Sequence, residues 1–193
     1  MATGKPKFYW DSAPLIAWIK DEKRPDPSEM DGLAEVIELA ERGKATIIMS
    51  VLWRSELMTG DLTQTQKKRL KEVFEYRLIE EVGVDSRVMD LAAEIRAYHK
   101  NDTKKSSNAK LKNVRVPDAI HLASAIHYEA IEFHTFDGKK ELGGTAGLMT
   151  LDGNVGGRIL KICAPRADQL RLDFGSISDD EKGEDDSEEN PPS

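Results

Sequence analysis

The chain has 193 residues, 39% of them hydrophobic, which is enough for one domain with a real core and too polar throughout for a membrane span of roughly 18 apolar residues. Its formal net charge of −7 is concentrated at one end: from Asp179 onward there are eight acids and one base, so the rest of the chain carries 27 of each sign. A neutral body with an acidic appendage keeps nucleic acid open as a partner, despite the low overall pI.

In chain order, Met1 to Lys7 is basic but has no apolar stretch behind it, so no signal peptide is expected. Lys7 to Trp10 reads as a short buried strand, and Pro14 suits the first turn of a helix running to about Lys20. Asp21 to Ser28 is a polar, proline-broken loop. Asp31 to Arg42 is an amphipathic helix with Leu33, Val36, Ile37 and Ala40 on one face, closed by Gly43. Ala45 to Met49 is a β-branched strand, and Ser50 can cap a helix through Leu57 that contains Glu56. Thr63 to about Tyr76 is a charged helix, Arg77 to Val82 a strand with helix as the alternative, and Asp85 to His99 a helix. Lys100 to Arg115 is polar and basic and reads as a loop. Pro117 opens a helix through Tyr128, Ile131 to Phe136 is a strand, and Asp137-Gly138 begins a turn. The glycine-rich stretch to Gly157 has no clear assignment; Leu160 to Ala164 is the last strand. Strands alternating with helices predict an α/β domain with a largely parallel sheet over residues 1–174, followed by a disordered acidic tail over 175–193. The one cysteine, Cys163, excludes an internal disulfide and a cysteine-based zinc site; it reads as a structural thiol in a reducing, cytoplasmic setting.

Four acids stand where strands end and helices begin: Asp11, Glu56, Asp118 and Asp137. In an open parallel sheet the carboxyl ends of the strands share one edge, so these acids are expected to converge there. Clustered carboxylates repel one another unless a cation neutralises them, and a hard divalent ion such as Mg²⁺ or Mn²⁺ suits oxygen ligands. Taken singly each has a plainer role, Asp11 and Asp137 as helix or turn caps, Glu56 as a surface charge, Asp118 as a first-turn acid. The coincidence of four is what points to a site.

The same residues resemble the PIN-domain nucleases, and especially the VapC-like toxin ribonucleases, through four ordered motifs. These are Asp11-Ser12, the Ser50 to Leu57 segment with Glu56, Pro117-Asp-Ala-Ile-His-Leu-Ala-Ser-Ala125, and Phe133-His-Thr-Phe-Asp137. The resemblance implies a PIN-like three-layer fold, a central sheet flanked by helices. It implies metal-dependent hydrolysis of RNA with Asp11, Glu56, Asp118 and Asp137 holding the Mg²⁺ or Mn²⁺, and no covalent intermediate. It further implies a homodimer and an antitoxin protein as partner. The chain is longer than the compact toxins, with a glycine-rich segment after Asp137 and an acidic tail.

Phosphodiester hydrolysis agrees with this chemistry, because it needs an activated water and compensation for charge on the phosphorus oxygens. Ser12 and Thr135 are placed to orient ligands through their hydroxyls. Lys104, Lys105, Lys110, Lys112 and Arg115 lead directly into the Asp118 helix; they could grip RNA phosphates or simply solvate a loop. Arg54 is a further candidate phosphate contact, and Glu141 a loose match to a fifth acid. His121 and His127 are six apart and form no helical metal pair; His121 lies one turn beyond Asp118 and reads first as a packed or capping residue. His99 and His134 read as structural. A haloacid dehalogenase type of phosphohydrolase would want a second Asp two residues after the nucleophile, where Asp11 is followed by Ser12-Ala13. A non-catalytic PIN scaffold binding RNA or protein is the other rival, and retention of all four acids counts against it.

Overall fold

The computed structural model describes residues 5–57, 62–105, 114–138 and 147–165, with 101–105 described by backbone alone. Five short strands form one sheet: β1 (Lys7–Trp10), β2 (Thr46–Ser50), β3 (Ile79–Val82), β4 (Glu132–His134) and β5 (Lys161–Cys163). Their order is β3-β2-β1-β4-β5 and every neighbouring pair is parallel. The helices are α1 (Ser12–Lys20), α2 (Ser28–Glu41), α3 (Trp53–Leu57), α4 (Gln64–Glu75), α5 (Ser86–Lys105) and α6 (Val116–His127), with a 3-10 turn at Leu148–Leu151.

Successive residues of a strand face opposite sides of the sheet. Phe8, Tyr9 and Trp10 are all fully buried, as befits a central strand covered on both faces. Phe8, Trp10, Ile47 and Met49 pack on one side with Leu15, Leu33, Val36, Leu70 and Val73 from α1, α2 and α4. Tyr9, Ile48, Phe133 and Ile162 pack on the other with Val88, Ile95 and Leu122 from α5 and α6. The three-layer α/β arrangement expected from the sequence is therefore present. The chain runs from β1 outward through β2 and β3, then crosses back to β4 and β5 on the other side of β1. The switch point lies between β1 and β4, where the connections diverge and leave a crevice at the carboxyl edge.

Several boundaries differ from the expectation. Helix α2 starts at Ser28, inside the segment read as loop, because Asp26 accepts hydrogen bonds from the Ser28 amide and hydroxyl and turns the chain into the helix. Ser50 ends β2 instead of capping a helix, and α3 begins only at Trp53; the Ser50 hydroxyl still accepts from the Leu52 N–H at 3.4 Å. The strand expected over Arg77 to Val82 is present but begins two residues later, at Ile79. Helix α5 continues to Lys105, so the loop expected from Lys100 is helical in its first third. The apolar stripe stops at His99, but no glycine or proline follows before Ser106, and lysine is a good helix former. Thr63 caps α4 through a capping box with Gln66, and Pro117 stands in the first turn of α6. Lys110, Lys112, Glu141 and the acidic tail lie outside the described residues.

Candidate active site

Asp11 follows β1 directly, its amide donating to the His134 carbonyl across the switch point at 3.2 Å. It is the N-cap of α1: its backbone is extended and Oδ1 accepts from the Ala13 N–H at 2.9 Å. The carboxyl is buried, and that desolvation pushes its pKa up from 3.8 to about 7, against hydrogen bonds from Thr135 and Ala13 and the nearby His121. The charge of Glu56 adds to the rise. The Thr135 hydroxyl also accepts from the Asp137 N–H at 2.9 Å, so this one side chain ties the ends of β1 and β4 together.

Glu56 reaches the same place from α3. The Ser12 hydroxyl donates to its Oε2, and His121 Nε2 lies 3.2 Å from that oxygen. Partial burial works to raise this carboxyl, but the bonds from His121 and Ser12 prevail and hold it below the ordinary carboxylate range. His121 Nδ1 meets the Tyr9 hydroxyl at 2.7 Å, and that hydroxyl accepts from the Ser50 N–H at 3.2 Å. Burial keeps the Tyr9 phenol well above its usual pKa, so it is a neutral hydroxyl.

Asp118 sits in the first turn of α6, where the helix dipole favours a negative charge. Its Oδ2 accepts from Arg115 Nε at 2.9 Å. The Arg115 cation is strengthened first by Asp118 and also by the charges of Asp137 and Glu56, so it lies among three of the four acids. Asp137 follows β4; its Oδ2 accepts from the Leu148 N–H at 3.1 Å and its carbonyl from the Met149 N–H at 3.2 Å. A Cβ on Gly147 would lie 1.6 Å from the Gly138 carbonyl oxygen, so only glycine lets the chain return this closely beside Asp137.

The carboxylates and the Ser12 and Thr135 hydroxyls make a hard oxygen donor set of the kind Mg²⁺ or Mn²⁺ takes. The buried Asp11 fits such an ion: a carboxyl resisting ionisation for lack of solvation is what an added cation relieves. Among the described residues no three of these acids bring ligand atoms within 4.8 Å of one another; Glu56 is bonded to Ser12 and His121, Asp118 to Arg115, and Asp137 to the Leu148 amide.

Among the described residues, the set of three whose ligand atoms lie within 4.8 Å of one another is a different one, Glu132, His134 and Cys163. Its hydrogen bonds argue against a metal. Trp10 Nε1 can only donate, and it does so to His134 Nδ1 at 3.1 Å. The ring proton is therefore on Nε2, where it donates to Glu132 Oε2 at 2.9 Å. Lys161 holds the other Glu132 oxygen at 2.5 Å. Burial opposes ionisation of Glu132, yet His134 and Lys161 bring its pKa down to about 2. Burial pushes the Cys163 thiol up to about 12, which leaves it inert. His134 and Cys163 are structural, as the sequence suggested. His99 is buried too, its Nε2 accepting from the Gly156 N–H at 3.2 Å.

Of the candidate phosphate-binding residues, Arg115 borders the acidic site, while Lys104 and Lys105 end α5. Arg54 is engaged elsewhere, in a two-pronged pair with Glu81 at 2.8 and 3.0 Å. Tyr9 has no motif that would have flagged it; Ser50 opens the second motif, but its amide contact with the Tyr9 hydroxyl is not visible in the sequence.

The family described as PIN domain matches residues 8–141. Among solved structures, the chain is similar to VapBC2 from Rickettsia felis bound to a DNA fragment from their promoter, at 15% identity and a TM-score of 0.53 over 81% of this chain and 98% of that one. It is also similar to a toxin-antitoxin complex from Klebsiella pneumoniae, at 17% identity and a TM-score of 0.46 over 72% of this chain and 94% of that one. No curated protein matches the sequence.

Proposed function

The chain belongs to the PIN domain family, and on that premise we propose that it is a metal-dependent endoribonuclease, hydrolysing RNA phosphodiester bonds as the toxin of a type II toxin–antitoxin pair. The observation that carries this reading is the buried Asp11 at the switch point, with Glu56, Asp118 and Asp137 brought to the same sheet edge from three other elements. The toxin part rests on the motif resemblance to VapC-like ribonucleases and on the fold shared with the Rickettsia felis VapBC2 structure. An antitoxin partner and a homodimer belong to the same proposal.

In this reading Asp11, Glu56, Asp118 and Asp137 hold Mg²⁺ or Mn²⁺. The ion, when bound, supplies a more acidic water and charge neutralisation at the phosphate. The chain's own contribution is placement and electrostatics. Asp11 is held in one orientation by the Ala13 amide and Thr135 hydroxyl, and Ser12 and His121 do the same for Glu56. Arg115 offsets the repulsion between the acids and an incoming phosphate, and the lysines preceding it extend that attraction. In this reading water is the attacking group, and the Ser12 and Thr135 hydroxyls serve to orient the acids.

The test incubates the purified full chain with single-stranded RNAs in Mn²⁺ or EDTA, beside Asp118→Asn. Cleavage in Mn²⁺ alone, lost in a folded variant that still binds RNA, supports the proposal. RNA binding without cleavage under any metal would favour a scaffold instead.

A further inference from the structure

We propose that His121, itself oriented by Tyr9, is a positioning residue that aims the Glu56 carboxylate into the metal-binding edge. The inference rests on the reading of Glu56 as a metal-holding acid. Helix α6 carries Asp118 and, one turn on, His121, so a single helix supplies one acid directly and supports another. His121 and Tyr9 are buried at 3% and 0% exposure, and Tyr9 is locked in the centre of β1 with its ring stacked on Phe133 at 5.2 Å. Helix α3, by contrast, is five residues long, too short to hold Glu56 by its own stability.

The hydrogen bonds select one arrangement. An ionised carboxylate only accepts, so the nitrogen facing Glu56 Oε2, Nε2 of His121, carries the ring proton. In the neutral ring Nδ1 is then bare, and the Tyr9 hydroxyl donates to it while accepting from the Ser50 amide. The Glu56 end thus sets the tautomer of the neutral ring, and the Tyr9 hydroxyl is placed to complement it. The Ser12 hydroxyl donates to the same Oε2, so two donors from α1 and α6 converge on one oxygen and fix the plane of the carboxylate. Such outer partners of a ligating group orient it and raise its affinity for a cation.

Mn²⁺ binding to the full-length protein, measured by calorimetry and by loss of the free-ion paramagnetic signal, tests this together with RNA affinity and melting temperature. His121→Leu should weaken Mn²⁺ binding by about 10- to 100-fold while RNA affinity in EDTA stays unchanged. His121→Gln places an amide N–H near the Nε2 position and should recover most of the loss. Tyr9→Phe keeps the ring packing but frees the tautomer, and should fall between the two. Wild-type Mn²⁺ affinity in folded His121→Leu would overturn the inference, as would His121→Gln binding no better than the leucine variant. Should the leucine variant fail to fold, Tyr9→Phe decides: weakened Mn²⁺ binding in the folded phenylalanine variant supports the inference, and wild-type affinity overturns it. A wild-type protein that takes up no Mn²⁺ refutes the reading of the site itself, a result distinct from normal wild-type binding with unaffected variants.

Discussion

Asp11→Asn should stabilise the metal-free protein at neutral pH while removing its response to metal. Asp11 binds its proton more tightly in the fold, with a pKa of about 7, than in the unfolded chain, where 3.8 is ordinary. The folded protein therefore retains a proton that the unfolded chain releases, and stability falls as pH rises from about 4, with the loss complete above about 7. A shift of roughly three units at 1.36 kcal/mol each sets the full penalty near 4 kcal/mol, an order-of-magnitude figure. Asparagine carries no charge but keeps a capping oxygen for the Ala13 amide, so α1 retains its N-cap. At about 2–4 °C per kcal/mol for a chain of this size, the variant should melt roughly 8–16 °C higher at pH 8 in EDTA, and close to wild type near pH 4. In saturating Mn²⁺ wild type should recover the difference, because an ion binding only the folded state stabilises it, while Asp11→Asn should not. Thermal melts from pH 4 to 8 with and without Mn²⁺ read this directly. Equal melting temperatures across that range in EDTA would refute the assignment of Asp11 as a buried, charge-strained carboxyl.

Replacing Lys104, Lys105, Lys110 and Lys112 by serine should weaken RNA binding for all sequences alike and reduce the slope of log affinity against log salt by up to about 3; an unchanged slope means these lysines only solvate the chain. Truncation after Phe174 removes a tail carrying the whole net charge, and should raise RNA affinity at low salt but not at high salt if the tail competes with RNA for a basic face; equal affinity at low salt leaves the tail a solubilising role. Lys161→Met leaves the buried Glu132 carboxylate with one fewer partner and should cost about 1–3 kcal/mol in denaturant unfolding. Glu132 is held at about 2, so its stabilisation is complete above the ordinary carboxyl range and is lost as pH falls through 2; an unchanged midpoint at pH 7 would refute the role of that ion pair.

The positions of the four candidate acids were legible in the sequence because each lies just after a strand, lies in a short helix that follows one, or opens a helix, and a parallel sheet brings such positions to one edge. The strands themselves were legible from apolar, β-branched runs, although Thr135 and Phe136 fall just beyond the ladder of β4. Helix α5 outran its apolar stripe because the stripe records contact with the core and not the helix, which persists through Lys100–Lys105 without a breaker. The partners of His121 were beyond the reach of spacing arguments: Tyr9 is 112 residues away and Glu56 is 65. Glu132 likewise looks like surface charge until strand register sets it across from Lys161 and beside His134.

A circular single-stranded RNA has no ends, so only an internal cut can linearise it, and the attack of water on phosphorus leaves the choice of metal as the controlled variable. The full-length protein should linearise such a circle in Mn²⁺ or Mg²⁺ and then fragment it. It should leave the circle intact in EDTA, and Asp118→Asn should leave it intact in either metal. Linearisation that proceeds equally in EDTA, or a folded, metal-loaded wild-type protein that leaves every circle whole, would contradict the assignment of this chain as a metal-dependent endoribonuclease.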